Sequence, residues 1–309
     1  MHALLQVARL GTAAALGTAL ALGLAGCGSL GLAASQAAEA EVDRLAAVAE
    51  LAARAYESEA DAGGVGRTDA TGRAAADEVF RQAAESCATE VPISRSLKIT
   101  QEDLEAAIRD LRMTPEYLCS TGTFSYELSA PSETEEFFAS SLTMDYDYDV
   151  SLVPLYRAEL EEAAAAAVAE AVDPDMSDVE RALALHDWLV ENCEYDQTLS
   201  RYSAYDAIVV GSATCQGYVQ AYKMLLELAG VPCAYAESDA MEHSWNLVQI
   251  GGAWYHVDVT WDDPIIIGGG ESRGVSRDHF LKSDGQMEAL GYLDWTAPHA
   301  APEDYPRSF

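Results

Sequence analysis

A two-glycine turn, Gly251-Gly252, sits between Val248-Gln249-Ile250 and Ala253-Trp254-Tyr255. β-Branched and aromatic residues on both sides of such a turn predict a β-hairpin. With the two glycines as the whole turn, Ile250 faces Ala253, and the pairing runs back until Trp245 faces Asp258. Side chains on a strand repeat every second residue, so His243 shares the face of Trp245 and meets Asp258 on the diagonal. Diagonal neighbours lie about 7–8 Å apart at the backbone, within side-chain reach. A slip of one residue would send imidazole and carboxylate to opposite faces. The other face carries Val248, Ile250, Tyr255, Val257 and Val259 and is expected in the core. His256 falls on the face of His243 and is the rival imidazole. It lies two residues from Asp258 on one strand, a poor position for a linear relay, so a neighbouring role is expected for it.

A cysteine precedes this hairpin at the head of a helical pattern. After Thr214-Cys215-Gln216-Gly217-Tyr218 the apolar residues Val219, Tyr222, Leu225, Leu226 and Ala229 recur at helical spacing, and Gly230 stops them. Cys215 thus falls in the first turn, where the helix dipole and free N–H groups favour a thiolate. Gly217 keeps that turn uncrowded, as close approach of a substrate would require. Taken alone, such a cysteine is more often a small buried side chain than a nucleophile. An imidazole to take its proton and a carboxylate to orient the imidazole complete the parts of a cysteine nucleophile.

The three motifs are Thr214-Cys215-Gln216-Gly217-Tyr218, His243-Ser244-Trp245-Asn246, and the run from Trp254 through Asp258 to Asp262-Asp263-Pro264. Together they resemble the transglutaminase-like superfamily, specifically from about His186 to Asp263. The run His186-Asp187-Trp188-Leu189 through Tyr195-Asp196 is similar to the helix that precedes the nucleophile in that family. The resemblance implies a papain-like core. Cys215 would be the nucleophile, His243 the base and Asp258 the residue that orients it. The backbone N–H of Cys215 would supply one oxyanion donor. Tyr205 and Gln216 are candidates for the second, with Tyr205 preferred. Trp245, Trp254 and His256 are expected around the substrate cleft, although plain core packing fits both tryptophans equally well. Asp262 and Asp263 are expected to end the strand and fix the loop, and His186 to be a hydrogen-bonded core histidine.

Composition narrows the partners. With 51 Asp+Glu against 18 Lys+Arg, the chain has no basic patch for nucleic acid. At its start, Arg9 precedes an Ala/Leu/Gly run from Leu10 to Leu24, too short to span a bilayer and read as a secretory signal. Leu24-Ala25-Gly26-Cys27 resembles the bacterial lipobox, which implies cleavage before Cys27, lipid on its sulfur, and a site on the outer face of the cell membrane. Of the remaining cysteines Cys215 goes to chemistry, while Cys87, Cys119, Cys193 and Cys233 allow three pairings. Proximity favours Cys87–Cys119 with Cys193–Cys233, and four buried thiols are the alternative. Zinc-ligand spacing is lacking, and neither a metal nor a cofactor is expected.

Other segments fix the outline. Val42, Leu45, Val48, Leu51 and Ala55 predict an amphipathic helix, and a second is expected from about Thr71 to Cys87. These form a stalk or pack on the core. From Ser94 a small α/β region is expected: a strand over Leu97–Thr100, a helix capped by Thr100, a strand over Phe124–Leu128 and an alternating strand from Leu142 to Val150. A helix over Tyr156–Val172 follows, and the box Ser177-x-x-Glu180 starts the next. The division is a signal peptide over 1–26, helices over 27–93, the small region over 94–175 and a catalytic domain over 176–309.

The expected fold is α+β: a helix carrying Cys215 packed on an antiparallel sheet carrying His243 and Asp258. The expected function is a surface-anchored thiol enzyme acting on amide bonds of a protein, peptide or cell-wall peptide. Release of the acyl group is to water or to an amine. The alternative is a non-catalytic binding module on the same fold.

Overall fold

The computed structural model describes residues 71–115, 124–130, 136–144, 146, 148–263 and 274–306, all within one unit, Ala55–Phe309. The expected signal, the Cys27 lipobox, the helix over 42–55 and Cys119 lie outside the described residues.

Two hydrophobic cores organise these residues. The first is built by helix α1 (Arg73–Glu85), strand β1 (Glu90–Pro92), helix α2 (Gln101–Arg112) and strands β2 (Phe124–Ser129) and β3 (Phe138–Met144). Both β1 and β2 pair antiparallel with β3. Helix α1 buries Ala75, Ala76, Val79, Phe80, Ala83 and Ala84, which settles the choice for this segment: it packs as part of a core. Thr100 caps α2 as its sequence predicts, in a reciprocal box with Asp103. The strand expected over Leu97–Thr100 is absent. Arg95–Leu97 form a 3-10 turn and Lys98 is left-handed at φ 52°, so the chain reverses there while Leu97 and Ile99 still bury their side chains. The strand expected to reach Val150 stops at Met144. Tyr146 and Tyr148 continue inward without a ladder, their hydroxyls held by Ala88 O at 3.2 Å and by Asp206 at 3.0 Å.

The second core begins with helix α3 (Val153–Ala171), whose Leu160, Ala164 and Ala167 are buried in it. Cys87, from the segment after α1, is buried in this core as well. Helix α4 (Asp178–Asn192) follows its capping box, in which the Glu180 carboxylate accepts the Ser177 N–H at 2.8 Å. Strands β4 (Glu194–Tyr195) and β5 (Ser212–Ala213) pair in parallel and lead into helix α5 (Cys215–Leu228). This helix packs on an antiparallel sheet of β6 (Cys233–Ser238), β7 (His243–Ile250) and β8 (Ala253–Val257), in the order β6-β7-β8. The short helix α6 (Val259–Asp262) and helix α7 (Asp284–Leu290) complete it.

The hairpin register is the one the two-glycine turn predicts: Ile250 opposite Ala253, and Asn246 opposite Val257. Val248, Tyr255, Val257 and Val259 enter the main core. The opposite face is covered too, because Trp245 and Leu247 pack with Met287 and Tyr292 from the C-terminal segment. That segment is tied to both edges of the sheet, at Glu237–Thr296 and at His256–Lys282. The expected Cys193–Cys233 bridge is not formed, as both thiols are free. Cys193 ends α4, whereas Cys233 sits at the start of β6 and receives the Asn246 amide at 3.5 Å.

Candidate active site

Cys215 is the first residue of α5, after an extended Thr214. Free N–H groups and the positive end of the helix dipole therefore surround its sulfur. Gly217 is required here for packing rather than for substrate: a Cβ would come 2.6 Å from Ala213 Cβ and 2.9 Å from the Ser203 carbonyl oxygen. The loop before β5 lies directly on the first turn of α5.

His243 opens β7, and its Nε2 lies 2.6 Å from Asp258 Oδ2. The Cys215 thiol lies close enough to the same imidazole for the two groups to shift each other's ionisation. Asp258 follows β8, where its Oδ1 accepts the Trp261 N–H at 3.1 Å and so caps α6. The imidazole is stacked between Trp245, at 5.7 Å, and Trp261, at 5.3 Å. His243 and Asp258 are buried. Burial alone would lower the imidazole pKa. The Asp258 charge and hydrogen bond, helped by Cys215, outweigh it and raise the value to about 10. Burial alone would raise the Cys215 pKa, but the His243 hydrogen bond and charge, with the Ser244 amide, bring the thiol below its ordinary value. These opposite movements favour transfer of the thiol proton to the imidazole.

The thiol opens on a cleft of about 360 Å³. Arg109, Arg112 and Met113 form one side, at the end of α2. Tyr195, Leu199, Tyr202, Thr214 and Gln216 line the cleft together with Cys215, Glu237, Asp239 and Glu242, and Glu237 pairs with Arg109 at 3.4 Å. The first core thus supplies a wall of the cleft. It is fastened there by the Gln216 carboxamide, which donates to the Arg112 carbonyl at 3.2 Å, and by the Tyr235 hydroxyl on Asp110 at 3.0 Å.

Several residues expected at the cleft lie elsewhere. Tyr205 is not among the lining residues. Its hydroxyl donates to Glu159 at 2.7 Å and its ring packs on Tyr156, because it faces α3. Gln216 does line the cleft, with its carboxamide turned to α2. Trp245 stands behind His243, buried among Tyr292 and Trp295. Trp254 stacks on His299 at 4.1 Å, away from the cleft. His256 is fully buried behind Trp245 and bonds Asp284 at 2.8 Å. All three follow from one cause: the C-terminal segment covers the sheet face that the sequence reading left open. His186 is held between Asp187 at 2.9 Å and Asp262 at 3.1 Å. Asp262 also binds His279 at 3.0 Å, so it joins α4, α6 and the segment beyond.

Two residues at the site escaped the sequence. Tyr195 pairs with Ala213, two residues before Cys215, and lines the cleft beside the thiol. Its place depends on a two-residue parallel ladder too short to leave a periodic signal. Tyr292 donates its hydroxyl to Asp258 Oδ2 at 2.5 Å from 34 residues away in the chain, in a stretch with no motif.

Residues 165–259 match the family model of the transglutaminase-like superfamily, and the chain carries a transglutaminase-like domain there. The kyphoscoliosis peptidases of Mus musculus and Homo sapiens are each 26% identical to it over 110 residues, which cover 29% of this chain and 17% of each relative. The chain therefore spans about a sixth of the length of these curated relatives. Among solved structures, a TGase aligns at 12% identity with a TM-score of 0.29, over 48% of this chain and 46% of that one. A provisionally assigned cysteine protease from Cytophaga hutchinsonii aligns at 16% identity with a TM-score of 0.30, over 61% of this chain and 80% of that one.

Proposed function

We propose that this protein is a thiol enzyme that cleaves amide bonds in protein, peptide or cell-wall peptide substrates. The observation that carries the reading is the placement of Cys215 beside His243 on the cleft, with His243 bonded to Asp258 behind it. The Cys215 thiolate attacks the amide carbonyl, and the His243 imidazolium gives its proton to the leaving amine. Water then attacks the thioester, His243 takes the water's proton, and the acid is released. Asp258 orients the imidazole and balances its charge. The N–H of Cys215 is one donor to the oxyanion. We assign the second to the Tyr195 hydroxyl in place of Tyr205, since Tyr195 stands in the cleft beside the thiol. Water is the acceptor in this reading, because Cys215 is partly exposed and lines the cleft.

The test is mass spectrometry of a peptide mixture incubated with the protein and a primary amine. Shortened or deamidated peptides support hydrolysis, and amine adducts indicate acyl transfer. If neither forms across peptides and cell-wall fragments, and Cys215 is also inert toward electrophiles, the chain is a binding module on this fold.

We also propose that lipid on Cys27 anchors the protein to the outer face of a bacterial membrane, a reading supported by Leu24-Ala25-Gly26-Cys27. Cys27→Ala should leave unprocessed or shed protein. Retention of that variant on salt-washed membranes at the wild-type level would overturn it.

A further inference from the structure

We propose that Tyr292 is a positioning residue of the relay: its hydroxyl holds the Asp258 oxygen that also serves His243, and draws charge from it so that the imidazolium can return its proton. This rests on the thiol-enzyme reading above and goes beyond the matched domain, which ends at residue 259.

The geometry is specific. Asp258 Oδ2 receives Tyr292 Oη at 2.5 Å and His243 Nε2 at 2.6 Å, while Oδ1 receives the Trp261 N–H. Two side-chain donors thus converge on one oxygen of this buried carboxylate. Tyr292 is itself fixed. Its N–H bonds Met287 O at 3.0 Å, just after the left-handed Gly291 that ends α7. Its ring lies 4.8 Å from Trp245 and 4.7 Å from Trp261. The next residue's carbonyl accepts the Ser238 hydroxyl at 2.6 Å. A phenylalanine would satisfy every one of these ring and backbone contacts, so the hydroxyl is left with Asp258 as its purpose. Burial and the Asp258 charge push the phenol pKa far above its usual range, and it stays a donor at any working pH.

Two donors on one oxygen compete. The phenol bonds a full carboxylate charge while His243 is neutral, and a partly neutralised one when His243 is protonated. It therefore favours the neutral imidazole, against the pull of Asp258 towards the cation. The other titratable groups around the pair are Cys215 on α5, His256 behind Trp245, His279 against the Tyr292 ring and Asp262, whose charge reaches the phenol. Glu242 adjoins His243 at the cleft. Replacing the tyrosine hydroxyl changes none of them.

The experiment is alkylation of Cys215 by iodoacetamide in the full chain, followed by mass spectrometry across pH. Tyr292→Phe should move the alkaline limb of the rate, where His243 loses its proton, upward by roughly half a pH unit. Asp258→Asn should move it downward, and the double variant should follow Asp258→Asn alone. Tyr292→3-fluorotyrosine, a stronger donor of nearly the same shape, should move the limb downward, which covers a Tyr292→Phe variant that folds poorly. An unmoved limb in both Tyr292 variants overturns the proposal. So does a Tyr292→Phe shift in the direction of Asp258→Asn, or one that persists in full on that background. If His243→Ala leaves the limb in place, the relay itself is wrong and Tyr292 falls with it. If His243 and Asp258 move the limb and Tyr292 does not, this proposal alone fails.

Discussion

Trp245 donates its indole N–H to His256 Nδ1 at 2.8 Å. An indole can only donate, so Nδ1 is an acceptor and the ring proton is on Nε2, facing Asp284 at 2.8 Å. Burial lowers the His256 pKa, against the Asp284 hydrogen bond and charge. This imidazole is therefore neutral and structural, and it is removed from competition with His243. Because the folded pKa lies below the unfolded one near 6.5, its contribution to stability is present above about pH 6.5 and is lost as pH falls through the lower folded value.

His256→Ala should accordingly leave Cys215 labelling at neutral pH within a few-fold of wild type. It should cost about 2–4 kcal/mol of stability, for a cavity and an unsatisfied indole N–H. His243→Ala should show the reverse in labelling, with the rate at neutral pH falling to that of an ordinary thiol. Electrophile labelling of the two variants, side by side, decides between the two histidines.

Tyr195 and Tyr205 give a second contrast. A hydroxyl aimed at the developing oxyanion contributes to the rate and little to ground-state binding, so Tyr195→Phe should lower kcat by about 100-fold with KM nearly unchanged. Tyr205→Phe, which loses only its bond to Glu159, should keep kcat within a few-fold. Steady-state kinetics on any peptide found in the screen tests both, and an unaffected Tyr195→Phe would rule out its hydroxyl as the second oxyanion donor.

The approach of Cys215, His243 and Asp258 was legible because each stands where local chemistry fixes position. Cys215 heads a helix with clear apolar spacing, and Gly251-Gly252 sets the register that brings His243 to Asp258. Residues recruited from afar left no such trace. Trp245, Trp254 and His256 were expected at the cleft because a hairpin cannot reveal that residues 279–296 will cover its outer face. Arg109 and Arg112 come to the cleft through docking of one core on the other. Leu97 and Ile99 alternate like a strand, yet the turn at Lys98 takes the backbone out of any ladder. The pairing of Cys193 with Cys233 was argued from proximity in sequence, which says nothing about where two thiols end in space.

The pH dependence of the pair follows from His243. Its pKa is raised to about 10 when folded, above the unfolded value near 6.5. Its contribution to stability is therefore full below about pH 6.5, declines as pH rises, and is gone above about 10. In the proposed mechanism the imidazolium is the proton source for the leaving amine, so turnover should fall as pH rises through about 10. In His243→Ala the thiol has lost its partner, and alkylation of Cys215 should follow an ordinary thiol, with a midpoint near about 8.5. Rates of iodoacetamide labelling from acid to alkaline pH check this. A wild-type profile that matches His243→Ala would mean that no ion pair forms.

Gly217 carries the last prediction. Its backbone φ is unremarkable, so conformational freedom is not what it supplies. A Cβ there would meet Ala213 Cβ at 2.6 Å and the Ser203 carbonyl oxygen at 2.9 Å. Neither neighbour is the free end of a flexible side chain: one belongs to β5 and the other to backbone fixed by the Asp206 carboxylate, which accepts the Ser203 N–H at 3.0 Å. Gly217→Ala must therefore push α5 away from the loop that holds Tyr202, and overpacking of this kind costs about 1–3 kcal/mol. The shift moves Cys215 relative to β7, so the His243 contact should loosen and labelling at neutral pH should drop by about tenfold. A substrate-access role for Gly217 predicts instead an unchanged melt and unchanged labelling by a small electrophile, with only peptide turnover reduced. Thermal melting together with iodoacetamide labelling of Gly217→Ala separates the two, and an unaltered melt would show that the strands around Ala213 yield where this packing says they cannot.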